Sequence, residues 1–353
     1  MNSIGDIFRF TSFGESHGSH IGGVIDGCPA GMLLDYNFLQ EQLLLRSPSS
    51  VCGATERVEP DKVEFLSGIH NGITLGTPIA FIVKNKNVAS HHYDDLEHIY
   101  RPGHADYTYQ QRYGIRDYRG GGRASARETV ARVVAGAIAK MWLKQQGVEI
   151  VAYTDQIGEI KTNNTYSHTQ RQEIYSSVVR CPEPNTEQDM LQLLADVKSK
   201  GDSIGGVVRC IISGMPAGVG NPIFNKFQAD LAHSVLSIPA AKGFEYGAGF
   251  SAATLLGSQC NDEMDMNGDT VQFKTNRAGG LLGGITTDED IYFRVAFKPV
   301  SSISLPQSTV NDKGENVSIS INGRHDTCIV PRAAIVVESM AAITAINHLL
   351  FRG

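Results

Sequence analysis

The sequence of 353 residues lacks the features that mark exported, membrane-spanning and nucleic-acid-binding chains. It has no uninterrupted apolar run of roughly 18 residues, and no basic segment followed by an apolar run stands after Met1. Its formal net charge is -6, so the chain as a whole has no basic excess that would attract nucleic acid or an anionic membrane. We therefore expect a cytoplasmic protein that binds neither, in which any anion site is local.

The sequence also lacks paired cysteines. It contains no C-x-x-C pair and no histidine at zinc-finger spacing from a cysteine, which excludes the common structural zinc sites, and we expect no bound metal. Scattered single cysteines are typical of a chain that stays reduced in the cytosol. The six are Cys28, Cys52, Cys181, Cys210, Cys260 and Cys328.

Two long helices are predicted from apolar residues at helical spacing. The first opens at Ser125, where a glutamate three residues later, Glu128, completes a capping box, and Gly147 marks its end. The second runs over Pro331–Leu350, with proline as a favoured first residue. Each helix follows a Gly-Arg dipeptide, which hints at an internal duplication.

The rest of the chain predicts a mixture of helix and strand. A third helix is predicted over Asn225–Ser237, and short apolar runs predict strands at 79–83, 207–212 and 291–297. The polar stretch 163–200 predicts a peripheral helical excursion. Because no linker rich in proline and serine divides the chain, we predict a single α+β domain spanning residues 1–353.

A cluster of arginines is the strongest chemical signal in the sequence. Between Arg101 and Arg132, seven arginines stand against three acidic residues, so this segment carries a local charge of +4. Arginine binds carboxylates and phosphates through two parallel hydrogen bonds. The cluster surrounds Gly120–Gly122 and leads to the helix start at Ser125, where backbone N–H groups and the helix dipole favour a phosphate. A single arginine is equally well explained by a surface ion pair, but the cluster as a whole predicts an anion site.

Two histidines stand in turns that contain glycine. His17 lies in Gly14–Gly18 beside Ser16, and His104 lies in the segment 102–106. Because imidazole exists in both protonation states near neutral pH, either histidine can donate a proton or neutralise an anion. Any one of the 11 histidines is more often structural, and the glycine settings favour these two. The neighbouring serine does not indicate a hydrolase, since no G-x-S-x-G elbow surrounds it.

A second glycine-rich segment, 278–285, is followed after one strand by Lys298–Ser302. A cation, a turn and two hydroxyl groups suit a phosphorylated cofactor. A β-bulge and a hairpin turn explain the glycines equally well. Because the sequence has neither a G-x-G-x-x-G opening a helix nor a G-x-x-x-x-G-K-[ST] loop, the phosphate chemistry must use another scaffold.

Three ordered stretches are similar to the signatures of the chorismate synthase family. They are GESHG at 14–18, YGIRDYRGGGRASARETVARVVAGAIA at 113–139 and GRHDTCIVPRA at 323–333, and the likeness extends over nearly the whole chain. The resemblance implies a layered β-α-β sandwich of the α+β class with an internal pseudo-repeat, usually assembled as a homotetramer. That repeat agrees with the duplication indicated by the two helices.

The resemblance also implies an activity. It implies conversion of 5-enolpyruvylshikimate 3-phosphate into chorismate by an anti 1,4-elimination of phosphate, the last common step of aromatic amino-acid biosynthesis, and hence a carbon–oxygen lyase. The resemblance further implies that reduced FMN is required although no net redox change occurs. The resemblance leaves open whether the protein reduces its own flavin with NADPH or depends on a separate flavin reductase.

Residue roles follow from the resemblance by matching motif. It implies that His17 protonates the departing phosphate, that His104 stabilises the charge of the reduced flavin, and that Asp326, Ser16 and Ser125 assist proton movement near flavin N5. Contacts with the substrate or with NADPH are implied for Arg46, Arg101 and Arg127. Flavin contacts are implied for Arg123, Ala124, Ser125, Pro239, Ala240, Gly283, Lys298, Pro299, Val300, Ser301, Ser302 and Arg324.

The chain departs from the family at three positions. Cys52 and Ala89 stand where many relatives carry arginine, and Pro239 replaces a frequent asparagine. The residues alone also leave two alternatives. An RNA-binding surface at 101–132 is opposed by the acidic net charge and by the apolar helix stripe that begins at Val130. A phosphatase would release phosphate without needing flavin.

Overall fold

The computed structural model describes residues 1–47, 61–85, 96–163, 171–321 and 326–352. Two five-stranded antiparallel sheets, one from each half of the chain, lie on either side of the two longest helices. Most of the buried apolar residues of both halves form one continuous core that extends from Phe8 to Ile346, and two small clusters lie apart from it. This is the predicted layered β-α-β sandwich of the α+β class.

The first sheet is built by the amino-terminal strands, and a separate small hairpin lies beside them. The strands are β1 (Ser3–Ile4), β2 (Arg9–Phe13), β3 (His20–Asp26), β4 (Val63–Phe65), β5 (Ile69–His70), β6 (Ile73–Thr74) and β7 (Ile79–Lys84). The sheet has the order β1-β2-β3-β7-β4, and β5 pairs only with β6. Strand β7, predicted at 79–83, alternates buried and half-buried residues because one of its faces packs on the core.

The second half of the chain builds the second sheet. Its strands are β8 (Glu149–Ile157), β9 (Ile160–Lys161), β10 (Gly206–Ser213), β11 (Ala241–Tyr246), β12 (Met264–Asn267), β13 (Thr270–Phe273), β14 (Leu281–Leu282), β15 (Ile285–Thr286), β16 (Ile291–Phe297), β17 (Gln307–Val310) and β18 (Asn316–Ile319). The sheet has the order β11-β16-β10-β8-β9, in which β10 and β16 are the strands predicted at 207–212 and 291–297. Three two-stranded hairpins, β12-β13, β14-β15 and β17-β18, stand outside the large sheet.

The α-helices of the described residues are α1 (Tyr36–Arg46), α2 (Asp106–Tyr113), α3 (Thr129–Gln145), α4 (Arg171–Ser176), α5 (Pro184–Ser199), α6 (Phe227–Leu236), α7 (Gly257–Cys260) and α8 (Val330–Arg352). The two longest, α3 and α8, fill the space between the sheets. Helix α3 packs against β3 and α8 packs against β8 and β10, while the two helices pack against each other. Each half of the chain therefore runs from a sheet to a long buried helix, as the internal duplication predicted. The other helix predictions are confirmed by α6 and, in the excursion at 163–200, by α4 and α5.

The contact between α3 and α8 depends on one small residue. A Cβ atom built on Gly136 of α3 would lie 2.3 Å from the Cβ atom of Ser339 on α8. Since side chains that close overlap, glycine lets the two helix backbones approach each other. Both helices are consequently buried on nearly all faces.

A buried ion pair crosses the same helix contact. Lys140 Nζ lies 2.7 Å from Glu338 Oε2, and the other oxygen of Glu338 accepts the backbone N–H of Ala152 at 2.9 Å. Tyr175 also donates its hydroxyl to Glu338. Burial raises the pKa of Glu338, but Lys140 and Arg171 outweigh it and hold the pKa below its ordinary value. The carboxylate therefore links both helices and the second sheet while it stays charged.

Helix α8 is apolar and long enough, by length and composition, to cross a membrane. Within Val330–Phe351, 83% of the most apolar window is buried inside the protein. Packing between the two sheets therefore explains its composition.

The predicted capping box at the start of α3 is wrong. The Ser125 hydroxyl accepts the backbone N–H of Arg127 at 3.3 Å and caps a short 3-10 turn over Ala126–Glu128, after which α3 begins. The Glu128 carboxylate does not return to Ser125, because it binds Arg132 Nε at 2.6 Å. The end of the helix is as predicted, with Gly147 in a left-handed conformation.

Candidate active site

A cavity of about 1610 Å³ lies beside the start of α3. Among the residues that the structure describes, eight arginines and Lys298 line it against four carboxylates. The arginines are Arg46, Arg101, Arg116, Arg119, Arg123, Arg127, Arg132 and Arg332, and the carboxylates are Glu15, Asp117, Glu128 and Asp326. The excess of cations suits several anionic groups at once, which fits the anion site predicted from the arginine cluster.

The glycine loop 120–122 forms one wall of the cavity. Its three residues have φ angles of +62°, +85° and +55°, a left-handed conformation that favours glycine. A Cβ atom at Gly120 would lie 2.6 Å from His17 Nε2, and one at Gly121 would lie 2.8 Å from His104 Nε2. The missing side chains therefore leave the space into which both imidazole rings fit.

The turn that carries Ser16 and His17 is docked on this loop. Ser16 donates its backbone N–H to the carbonyl of Gly122 at 3.3 Å and its hydroxyl to the carbonyl of Arg119 at 3.3 Å. Neither Ser16 nor His17 belongs to the described lining of the cavity, but both lie against Gly120, which does. Of the predicted catalytic residues, His104, Ser125 and Asp326 line the cavity directly.

A single buried carboxylate, that of Asp106, contacts two arginines and a histidine. Arg101 makes a two-pronged contact with it, with Nε at 2.7 Å and Nη2 at 2.8 Å. His104 Nδ1 lies 3.0 Å from the same carboxylate and Arg116 Nη1 lies 3.4 Å from it. Burial raises the pKa of Asp106, but the hydrogen bond from Arg101 and the contact with His104 outweigh it and hold the pKa well below its usual range. Asp106 therefore fixes the positions of Arg101 and His104 at the cavity.

A second buried carboxylate, Asp61, joins two further arginines of the lining. Arg46 Nη2 lies 2.8 Å from one oxygen of Asp61, and Arg127 Nη1 lies 2.6 Å from the other. Arg127 also donates from Nε to the side-chain oxygen of Asn85 at 2.9 Å. Two of the three arginines predicted from the resemblance to bind the substrate or NADPH, Arg46 and Arg127, are thus neighbours, although they belong to distant parts of the chain.

Three of the predicted flavin segments lie around one cavity. Arg123 donates to the Ser12 hydroxyl at 2.7 Å, and Arg123, Ala124 and Ser125 form part of the lining. Pro239 and Ala240 and the whole of 298–302 also belong to the lining. The structure therefore brings these three segments together.

Contacts within the 298–302 segment attach it to the turn that carries His104. Lys298 Nζ donates to Ser301 Oγ at 2.5 Å, and Ser301 Oγ donates to the carbonyl of Gly103 at 2.7 Å. Burial lowers the pKa of Lys298, and the nearby charge of Lys242 lowers this pKa further. A partly buried cation and a serine hydroxyl beside the His104 turn can receive a phosphate or another anionic group.

Asp326 reaches the cavity with an arginine partner that the sequence reasoning missed. Arg332 donates to the Asp326 carboxylate and, from Nε, to the backbone carbonyl of Arg46 at 3.1 Å. Asp61, Asn85 and Arg332 were missed as site residues, whereas Arg116 belongs to the arginine cluster that predicted the anion site. Arg332 could have been found as an arginine in an otherwise apolar helix, but Asp61 and Asn85 have no local signal, since their partners are distant in sequence.

Some predicted residues are not brought to the cavity. Gly283 lies in the turn of the β14-β15 hairpin, outside the described lining, so its flavin contact stays a prediction. The hairpin agrees with the alternative interpretation of the 278–285 glycines. Arg324, Cys52 and Ala89 lie outside the described residues.

Comparison with known families and proteins gives a consistent likeness over the whole chain. The family described as chorismate synthase matches residues 8–350. A chorismate synthase of Parabacteroides distasonis is 54% identical over 352 residues, which covers 100% of this chain and 98% of that protein. A chorismate synthase of Phocaeicola vulgatus is 52% identical over 350 residues, covering 99% of this chain and 98% of that protein.

A solved structure shows the same fold. A crystal structure of chorismate synthase superposes with a TM-score of 0.78 at 30% sequence identity. The superposition covers 99% of this chain and 93% of the other. The similarity therefore includes both sheets and the helices between them.

Proposed function

The chain belongs to the chorismate synthase family and is a lyase of the shikimate pathway, and from that premise we propose that it converts 5-enolpyruvylshikimate 3-phosphate into chorismate. The reaction is an anti 1,4-elimination: the ring C–O bond to phosphate and a ring C–H bond break, the ring double bond that separates them shifts by one position, and a second double bond forms, so that the ring gains a conjugated diene. Phosphate and one proton leave. The proposal includes a requirement for reduced FMN without net redox change.

The observation that carries this proposal is the size and charge of the cavity. At about 1610 Å³ it is larger than the roughly 300 to 1,000 Å³ typical of a site for one small ligand. The substrate carries a phosphate and two carboxylates, and FMN carries a further phosphate. Eight arginines and Lys298 supply counter-charges for two such ligands side by side.

The residues present fit a flavin phosphate at one part of the cavity. The glycine loop 120–122 offers a wall without side chains, while Lys298 and Ser301 add a cation and a hydroxyl group beside the turn that carries His104. In this proposal Arg123–Ser125, Pro239–Ala240 and 298–302 hold the flavin. The chemistry that reduced flavin would supply at this position is electron density for the breaking C–O bond.

The protein's own residues hold the substrate and move protons. Arg46, Arg101 and Arg127 bind its anionic groups. His17, whose ring edge packs against Gly120, donates a proton to the departing phosphate. His104, held by Asp106, balances negative charge beside the flavin, and proton movement near flavin N5 is assigned to Asp326 with Ser16 and Ser125.

An anaerobic assay tests the proposal. The protein is incubated with 5-enolpyruvylshikimate 3-phosphate and chemically reduced FMN, and both inorganic phosphate and the absorbance of chorismate are followed. We expect both products with reduced FMN and neither with oxidised FMN. Turnover without reduced flavin, or phosphate release without chorismate, would point to a phosphatase and sink the proposal.

The source of reducing equivalents is tested in the same assay. Replacing the chemical reductant by NADPH plus FMN distinguishes two possibilities for this chain. Chorismate formation in that mixture indicates that the protein reduces its own flavin. Activity that returns only when a flavin reductase is added indicates a separate partner.

We also propose assembly as a homotetramer. Large apolar side chains stand exposed on the segment after β11, where Phe250 is 83% exposed, Leu256 68% and Met266 66%. Exposed apolar groups of this kind are typical of surfaces that pair with another subunit. Sedimentation velocity should give the mass of four chains, and a monomer at micromolar concentration would contradict the proposal.

A further inference from the structure

We propose that Asp61 is a positioning residue that sets the spacing of two substrate-binding arginines, Arg46 and Arg127. The inference rests on the proposed function, because it assigns these arginines to the anionic groups of the substrate. Asp61 itself is buried, with 5% of its surface exposed, and does not belong to the described lining of the cavity. It acts through the arginines, which do line the cavity.

The geometry of the carboxylate supports this role. Each oxygen of Asp61 serves a different arginine, Oδ2 for Arg46 at 2.8 Å and Oδ1 for Arg127 at 2.6 Å. Because the two oxygens belong to one rigid planar group, the distance between the two guanidinium groups is set by the carboxylate. A substrate with several anionic groups is recognised by such a fixed spacing of cations.

The same chain of contacts extends to the turn that carries His17. Asn85 accepts from Arg127 Nε at 2.9 Å, and its side-chain N–H groups donate to the carbonyls of Glu15 at 3.1 Å and Gly18 at 2.8 Å. The arginine pair is therefore linked to the turn in which the proposed proton donor lies. A shift of Arg127 would also change the position of that turn.

The charges of the group favour the same conclusion. Burial raises the pKa of Asp61, but Arg46 and Arg127 outweigh it and keep the pKa below its ordinary value, so Asp61 is ionised at neutral pH. One negative charge between two positive charges leaves a net positive charge for the substrate. Without Asp61 the two guanidinium groups would repel each other and move apart.

The test compares two isosteric substitutions of buried aspartates. Asp61→Asn keeps the shape of the side chain but replaces one acceptor oxygen by an N–H donor that faces an arginine. Asp155→Asn is the control, because it makes the same substitution away from the cavity. Asp155 also contacts two arginines, Arg209 at 3.1 Å and Arg294 at 3.5 Å. It lies in the second sheet and does not belong to the described lining of the cavity. Thermal unfolding of both variants measures the purely structural cost of such a change.

Steady-state kinetics with reduced FMN supply the decisive readout. We expect Asp61→Asn to raise the KM for 5-enolpyruvylshikimate 3-phosphate by roughly 10- to 100-fold, with a smaller effect on kcat, because the arginines lose their spacing. Asp155→Asn should leave KM within about twofold of the wild type. An unchanged KM in a folded Asp61→Asn protein, while the wild type turns over normally, overturns the inference without touching the proposed function. A wild type without turnover would instead contradict the proposed function.

A second variant keeps the test decisive if Asp61→Asn does not fold. Asp61→Glu preserves the negative charge between the two arginines but displaces the carboxylate by one methylene. We expect it to fold and to show a raised KM, since spacing and not charge alone sets substrate affinity. A folded Asp61→Glu protein with the wild-type KM would overturn the inference.

Discussion

The imidazole rings of His17 and His104 each pack against a different glycine of the loop 120–122. The missing glycine side chains therefore decide how near each ring comes to the cavity. His17 lies against Gly120 and His104 lies against Gly121. The glycine settings of both histidines were visible in the sequence. The reason for the glycines was not, because the rings that occupy their space come from other parts of the chain.

Replacing His17 by alanine should lower turnover. A positioned acid contributes roughly 10²- to 10⁴-fold, so we expect His17→Ala to reduce kcat by a factor in that range. Phosphate release under anaerobic conditions measures the loss. His98→Ala is the control, since His98 is 68% exposed and pairs with Asp312 outside the described lining of the cavity. Near-normal turnover by His17→Ala would remove this residue from the mechanism.

An alanine at Gly121 should displace His104. The new Cβ atom would lie 2.7 Å from His104 Cε1, so the ring must move, and we expect kcat to fall by roughly 10-fold or more. Gly147→Ala is a matched control, because Gly147 has a φ of +77° and a Cβ atom there would meet no atom of the described residues within 4 Å. Both variants strain the backbone and lose stability, but only Gly121→Ala should lose activity. Equal kcat values for the two variants would contradict the expected displacement of His104.

The carboxylate partners of the arginines could not be predicted from the sequence, for a physical reason. Asp61 and Arg127 are 66 positions apart, and no periodicity connects them. A lone buried aspartate looks like any surface aspartate until the fold shows its surroundings. The arginine cluster could be predicted because its members are close in sequence and share one sign of charge.

At the level of elements, local patterns determined α3 and α8 well. Both helices have apolar residues at helical spacing, and this pattern depends on nearby residues alone. The start of α3 was missed because Glu128 had two available partners, the backbone at Ser125 and the side chain of Arg132. The ion pair with Arg132 formed, and the first turn became a 3-10 turn.

Helix packing gives a prediction at this level. Gly136→Ala should destabilise the protein by about 1 to 3 kcal/mol, because the new side chain overlaps Ser339 on α8. This loss should exceed the gain of about 1 kcal/mol in helix propensity. Urea unfolding measures the difference. Adding Ser339→Gly should recover only part of the loss, since the Ser339 Cα atom would still lie 2.4 Å away. A Gly136→Ala protein as stable as the wild type would show that the helices can separate without cost.

At the level of the whole molecule, the fold class and the duplication could be predicted, whereas the strand order could not. The order of the second sheet places β11 beside β16, although many residues separate them in the chain. Such pairing depends on which strand faces fit the core, and periodicity within one strand does not specify its neighbour. Loops from both halves of the chain form the cavity. Its lining could therefore be predicted from the sequence only where the lining residues belong to one continuous motif.

Three buried carboxylates are expected to make the stability of the folded protein sensitive to acid. Asp61, Asp106 and Glu338 each have a folded-state pKa below the ordinary value, because the attraction of their arginine or lysine partners outweighs burial. A carboxyl group with a depressed folded pKa contributes stability above its unfolded pKa of about 4. That contribution is lost as the pH falls below this value, since the unfolded chain then binds more protons than the folded one.

The urea midpoint should therefore stay nearly constant from about pH 7 to pH 5 and fall steeply below about pH 4. The variant Glu338→Gln removes the contribution of one of these three carboxylates to stability. It leaves Lys140 buried without its ionic partner, so we expect a loss of roughly 3 to 5 kcal/mol at neutral pH. The variant should then lose less stability than the wild type on further acidification, because it has one depressed carboxyl group fewer. Parallel curves for the two proteins across this range would show that Glu338 has the same pKa in the folded and unfolded states.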